Sequence, residues 1–176
     1  MASYEVDTKK TIALVMILVF FILLSFLFPK MLISVIFIAV AAASMIPLRY
    51  VNNPIGFELL LFSTVMVSSI YGIFFGLFVG NMGIVAGQIL NGKLDPRTLG
   101  IMGAISAVAV ITGLSAAANI VILGSLMTLL YNIVLFVYYV MLGSSAGRVL
   151  VFSATNIPIN VFLFIVVAPL LKNLLI

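Results

Sequence analysis

The chain has 176 residues, 65% hydrophobic and only 7% charged, with eight Lys/Arg against four Asp/Glu and a net charge of +4. A soluble domain carries about 25% charged residues, so these side chains cannot build a water-facing surface, and the bilayer must be the solvent. Cysteine and histidine are both absent. This excludes disulfides, thiolate nucleophiles, imidazole bases and the usual ligands of zinc, haem and iron–sulfur clusters. No basic cluster exists, so no nucleic-acid partner is expected, and the charges fit the ordinary flanks of membrane helices.

In lipid every backbone N–H and C=O must be paired inside the protein. Barrel strands would alternate polar and apolar residues over about ten positions, and no segment here does so. The expected fold is therefore all-α. It is a polytopic transmembrane helix bundle of six to seven membrane segments, forming a single integral membrane domain over residues 1–176.

Residues 1–10 form a short polar tail. Residues 11–28 are an apolar run closed by Pro29 and Lys30. Acidic residues precede it and no small-residue cleavage site follows it, which favours a retained helix over a signal peptide. The six-helix core occupies residues 31–171, beginning with the run 31–47. Residues 49–56 are a loop by their Asn, Pro and Gly content. The next apolar stretch, 57–90, has 34 residues. One helix of that length rises about 50 Å, against a hydrocarbon core of about 30 Å. It must break in two, near Tyr71-Gly72. Residues 91–98 form a loop in which Asp95-Pro96 reads as a turn before a helix start. Then come a small-residue-rich helix (99–114), a short turn (115–118), the longest single span (119–142), a loop (143–148) and the last helix (149–171).

The distribution of cations tests this count. With seven spans, Lys9, Lys10, Arg49, Lys93, Arg97 and Arg148 share one side, and only Lys30 and Lys172 take the other. A single crossing by 57–90 would give four against four. The asymmetric split predicts a multi-pass protein of the cell membrane with its N-terminus in the cytoplasm and its C-terminus outside.

The most specific motif is Gly72-x-x-x-Gly76-x-x-x-Gly80, continued by Gly83-x-x-x-Gly87. Residues four apart share a helix face. A strip of glycines lets another backbone approach closely, which is how membrane helices associate without a hydrophobic drive between them. Internal packing is one use of such a face; a docking or pocket-lining groove is another. Ala39-x-x-x-Ala43 is a second small-residue face, and Gly100, Gly103, Ala104 and Ala107 supply a third.

Glu58 is the acid nearest a membrane segment. In the first turn of a helix it would offset the positive helix end; buried, it would mark a cation or proton site. Asn156 and Asn160 are one helical turn apart and flank Pro158, which frees backbone groups in mid-helix, and Tyr131 and Asn132 could face them. The candidate substrate-binding residues are thus Glu58, Tyr131, Asn132, Asn156 and Asn160, with interhelical hydrogen bonding as the alternative use of the asparagines. Tyr138 and Tyr139 suit an interfacial aromatic belt. No carboxylate pair, Ser/His set, metal motif or phosphate-cradling loop can be drawn, so no enzymatic activity and no cofactor are expected.

The stretch from Gly56-Phe-Glu-Leu-Leu-Leu-Phe-Ser-Thr-Val to Tyr71-Gly72-Ile-Phe-Phe-Gly76-Leu-Phe-Val-Gly80, with the closing Asn156-x-x-x-Asn160 to Ala168-Pro169-Leu170-Leu171, resembles two membrane families. One is the substrate-binding S components of energy-coupling-factor (ECF) vitamin transporters. The other is the rod-shape-determining MreD family. The first resemblance implies a transport subunit. Such a subunit captures a vitamin-like molecule between its helices and works with partner membrane subunits and an ABC-type ATPase module. It would meet its coupling subunit through Ala39 and Ala43, and Asn132, Asn156 and Asn160 would line its pocket. The second implies a non-enzymatic scaffold that binds other membrane proteins through its glycine face.

Overall fold

The computed structural model describes residues 28–49, 56–92 and 95–175, together with Met16 and Val19. The helix expected over 11–28 lies almost wholly outside these residues. The chain divides into two compact units, Met1–Ile33 and Ser34–Ile176; the architecture below is that of the second. Its helices are α1 (Pro29–Ser44, which begins in the first unit), α2 (Leu60–Tyr71), α3 (Ile73–Asn91), α4 (Arg97–Leu114), α5 (Ile120–Met141) and α6 (Ala146–Leu175), with a 3-10 turn at Ile46–Arg49. The described residues contain no strand, and the fold is all-α.

Among the described residues fewer full spans are found than the sequence suggests there. Four helices, α3 to α6, are long and apolar enough to cross a membrane. Helix α1 has 16 residues and α2 only 12, which rise about 24 and 18 Å against a core of about 30 Å. The physical reason is local. The run 31–47 ends early in a 3-10 turn, and the run 57–90 spends its first residues as non-helical chain before α2 begins at Leu60.

The break in that second run falls at Gly72, with φ 94° and ψ 175°, a region essentially open only to glycine. The chain reverses there, and α2 and α3 form an antiparallel hairpin. Facing pairs follow in register: Gly76 lies against Ser68, Gly80 against Thr64 and Gly83 against Leu60. A methyl group on Gly80 would sit 3.0 Å from Thr64 Oγ1 and 3.1 Å from Ile105 Cγ1, so this face is already filled by α2 and α4. Gly87 lies under Met45. Gly72 has no neighbour within 4 Å; its role is conformational. Gly72→Ala is expected to lower stability by about 1–3 kcal/mol through backbone strain alone, read from thermal unfolding in detergent.

Helices α5 and α6 form a second antiparallel hairpin. Gly124 receives the ring of Phe164, and Asn132 bonds Asn156. On α5 the residues Leu123, Met127, Tyr131 and Leu135 face inward. The opposite face, with Ile122, Leu126, Ile133 and Val137, is exposed yet wholly apolar, as lipid contact requires. Asn119 caps α5, its Oδ1 accepting from the backbone of Val121 at 2.9 Å, so it ends the helix and does not lie within it. Asp95 starts α4 as its sequence implied: its Oδ1 accepts the Arg97 N–H at 2.8 Å.

The small-residue faces divide. On α1, Ala41 and Ala42 are buried, whereas Ala39 and Ala43 are exposed. On α4, Gly100 packs on the Tyr138 ring and Ala104 is buried, whereas Gly103 has nothing within 4 Å and Ala107 is exposed.

Candidate functional site

The hairpin register creates the site. Leu60, the first residue of α2, lies opposite Gly83 of α3. The last two turns of α3, from Ile84 to Asn91, therefore extend beyond α2. The difference in length, 12 residues against 19, corresponds to about 10 Å of helix. Residues Gly56 to Leu59 run through the bundle there without regular structure.

Non-helical backbone inside a membrane bundle must find its hydrogen bonds in the protein, and three of them run to side chains of neighbouring elements. The Gly56 N–H donates to Thr155 Oγ1 at 2.7 Å. The Gly56 carbonyl accepts from Asn156 Nδ2 at 2.9 Å. The Leu59 N–H donates to Ser44 Oγ at 2.8 Å. Position 56 has to be glycine because any Cβ would overlap Phe152 and Asn156. The segment then alternates: Phe57 points out and is 42% exposed, and Glu58 points in and is 7% exposed.

Glu58 therefore precedes the helix and does not occupy its first turn. Among the described residues its one hydrogen-bond partner is Tyr131, whose hydroxyl donates to Oε1 at 3.2 Å, and no cation stands beside it. Above it lies a cavity of about 270 Å³. Its floor and wall carry Glu58, Tyr131 and Tyr139, and its mouth carries Arg97, Arg148 and Ser144. Ile84, Ile101, Leu135 and Phe152 supply an apolar belt between them. Gln88 and Asn91 complete the α3 wall. Asn91 Nδ2 is tied to the Met45 carbonyl at 3.0 Å, while its Oδ1, in a residue only 7% exposed, has no hydrogen-bond partner. Both arginines are exposed at the rim. The cavity can hold a small solute between an acidic floor and a basic mouth.

Of the five residues that the sequence suggests for substrate binding, the fold brings Glu58 and Tyr131 together in this cavity. It places Asn132, Asn156 and Asn160 elsewhere, in a chain of buried hydrogen bonds between α5 and α6. Asn132 Nδ2 donates to Asn156 Oδ1 at 2.9 Å and to the Thr128 carbonyl at 2.8 Å. Asn160 Nδ2 donates to the Asn156 carbonyl at 3.2 Å. None of the three lines the cavity. Asn156 also holds the Gly56 carbonyl and so fixes the segment that carries Glu58, while Asn132 Oδ1 and Asn160 Oδ1 are buried without a hydrogen-bond partner among the described residues. Tyr139, whose sequence position suits an interfacial belt, is a wall residue within electrostatic reach of both Glu58 and Arg97. Arg97, Arg148 and Asn91 fall in loops by sequence, yet all three line the cavity. The available signal was that Arg97 and Arg148 each stand at a helix start on the same side of the charge count.

No protein-family model, no curated protein and no solved structure matches this chain. The site must therefore be interpreted from its own geometry. A second depression of about 480 Å³ lies between Phe57, Leu59, Pro158, Ile159, Phe162 and Leu163. Its lining is apolar throughout and it offers no group that could orient a polar ligand.

Proposed function

We propose that this chain is a membrane-embedded binding subunit that captures a small polar molecule between its helices, performs no chemistry on it, and acts with partner subunits. The observation that carries this reading is Glu58, a carboxylate held deep in an apolar bundle with, among the described residues, one hydroxyl as its partner and a cavity open above it. Ionisable groups at such depth are costly and mark substrate or ion positions. A purely structural acid would be paired or excluded.

The resemblance to S components of ECF transporters is consistent with capture between helices and suggests an ABC-type ATPase module as partner. The exposure of Ala39 and Ala43 leaves them accessible to a coupling subunit. A scaffold of MreD type needs a free glycine face, and Gly76, Gly80 and Gly83 are covered from within by α2 and its neighbours, so the binding reading is the better supported.

Thermal unfolding of the detergent-purified chain tests it. A ligand at 100 times its Kd adds about 2.7 kcal/mol to stability. For a chain of this size that is a rise in Tm of about 5–11 °C. Ile101→Trp, which fills the cavity from α4, is expected to abolish the rise. A rise of equal size in that variant would show that the ligand binds elsewhere and would refute the reading.

A further inference from the structure

The cavity has two poles of opposite charge, and this narrows the class of ligand. Glu58 and the hydroxyl oxygen of Tyr131 form one pole. With Glu58 ionised, the Tyr131 hydroxyl donates to it, and this pole then offers only acceptors to a ligand. Among the described residues no countercharge stands beside Glu58; a carboxylate so buried is expensive, and a ligand that brings a positive group to it recovers much of that cost. The other pole is the pair of guanidinium groups of Arg97 and Arg148 at the mouth. Arginine forks match carboxylate and phosphate oxygens. The belt of Ile84, Ile101, Leu135 and Phe152 separates the poles and suits methylene groups.

Size and depth narrow it further. Pockets for drug-sized ligands occupy about 300–1,000 Å³, and 270 Å³ lies below that range, so a ring system with a long tail does not fit. Tyr131, beside Glu58, and Tyr139, within reach of Arg97, are eight residues apart on α5, about 12 Å along the helix. The arginine side chains can fold inward over part of that rise.

Resting on the binding reading above, we propose that the cavity takes a small zwitterion. Its ammonium group sits at Glu58, and its carboxylate or phosphate faces Arg97 and Arg148 across a short apolar chain. Asn91 Oδ1, buried without a partner on the α3 wall, offers a further acceptor to the same ligand. The same chemistry exists free in solution and, as an ammonium–phosphate pair, on a lipid headgroup.

The experiment measures thermal shifts of the full chain with four soluble probes in detergent: 5-aminopentanoate, ethanolamine phosphate, pentanoate and pentylamine. A parallel arm compares phosphatidylethanolamine with phosphatidylglycerol in nanodiscs. A zwitterion is expected to stabilise the protein at concentrations at which pentanoate and pentylamine do not. Glu58→Gln should weaken it about tenfold or more, the scale of a lost charge-assisted hydrogen bond. Arg148→Gln, at an exposed position where folding is not at stake, should weaken it as well. Stabilisation by the ethanolamine lipid alone supports the zwitterion and identifies its source as a headgroup. Equal stabilisation by pentanoate or pentylamine, or affinity unchanged in both variants, overturns the proposal. If all zwitterions fail and another small molecule stabilises the wild type but not Ile101→Trp, the ligand class is wrong and the binding reading stands. If neither a soluble small molecule nor the ethanolamine lipid stabilises it, both fall.

Discussion

Asn156→Leu is expected to lower the unfolding free energy of the detergent-solubilised protein by about 2–6 kcal/mol. The replacement has a similar shape and is apolar, so packing changes little. What changes is the pairing of two buried groups. Asn156 accepts from Asn132 Nδ2 and donates to the Gly56 carbonyl; without it, one Asn132 proton and the Gly56 oxygen lose their partners, at about 1–3 kcal/mol each. The hydrogen bonds themselves are a smaller matter. Between membrane helices a bond averages about 0.6 kcal/mol in double-mutant cycles. The cycle therefore discriminates: Asn132→Leu/Asn156→Leu should cost clearly less than the sum of the single changes, because the second removes a group the first had stranded. Additive losses would mean that the two amides act independently. The effect should also reach the cavity, since the Gly56 carbonyl is one of the ties that hold Glu58 in place. Ligand stabilisation should fall in Asn156→Leu even at a temperature where the chain remains folded.

Gly76→Leu should be as damaging, for the opposite reason. A methyl at this position already overlaps Ser68, reaching its Cβ and lying 3.0 Å from its Cα. The obstacle is backbone, which cannot rotate aside, and Ser68 is itself fixed by donation from its Oγ to the Ala109 carbonyl. Overpacking in a well-filled core costs about 1–3 kcal/mol for added methylenes, and a leucine here should exceed that range because the α2–α3 hairpin must open to admit it. Gly103→Leu is the matched comparison. It introduces the same side chain at another glycine of a small-residue face, but Gly103 has no neighbour within 4 Å, so its effect should stay within about 0.5 kcal/mol. Equal losses at the two positions, measured by thermal unfolding, would remove the packing account of the glycine stripe.

The two glycines also illustrate what the sequence could convey. The excess length of residues 57–90 demanded a break, and Gly72, beside Tyr71 and close to the middle, is a backbone-permissive place for it, so the hairpin was legible. The Gly76/Gly80 spacing announced a close contact, though not its partner. The asymmetry of cations was visible too, and Arg97 and Arg148 do share one end of the bundle, lining the same mouth.

Other features were hidden for a physical reason. In a soluble helix the inward face is apolar and the outward face polar. Here both are apolar, as Leu123 and Leu126 of α5 show, one buried and one exposed. Periodicity therefore says little about which way a residue points. Gly103 and Gly76 read alike, as do Ala39 and Ala41. The asparagines were ambiguous in a related way: a polar residue in a membrane segment needs a partner, and sequence cannot distinguish a partner on the next helix from a ligand. Nor could it show that α2 begins only at Leu60, with Gly56 to Leu59 running without regular structure before it, which is the fact that creates the cavity.

The brevity of α2 has an electrical consequence. Where water and mobile ions fill the cavity edged by Glu58, Arg97 and Arg148, it takes up the potential of the compartment it opens to. The membrane voltage then falls mainly across the sealed remainder of the bundle. That remainder is close to the length of α2, about 18 Å in place of about 30 Å, and the local field is steeper by a factor of about 1.7. A charge carried from Glu58 to the far face would traverse nearly the whole voltage, about 2.3 kcal/mol per 100 mV, over little more than half the bilayer.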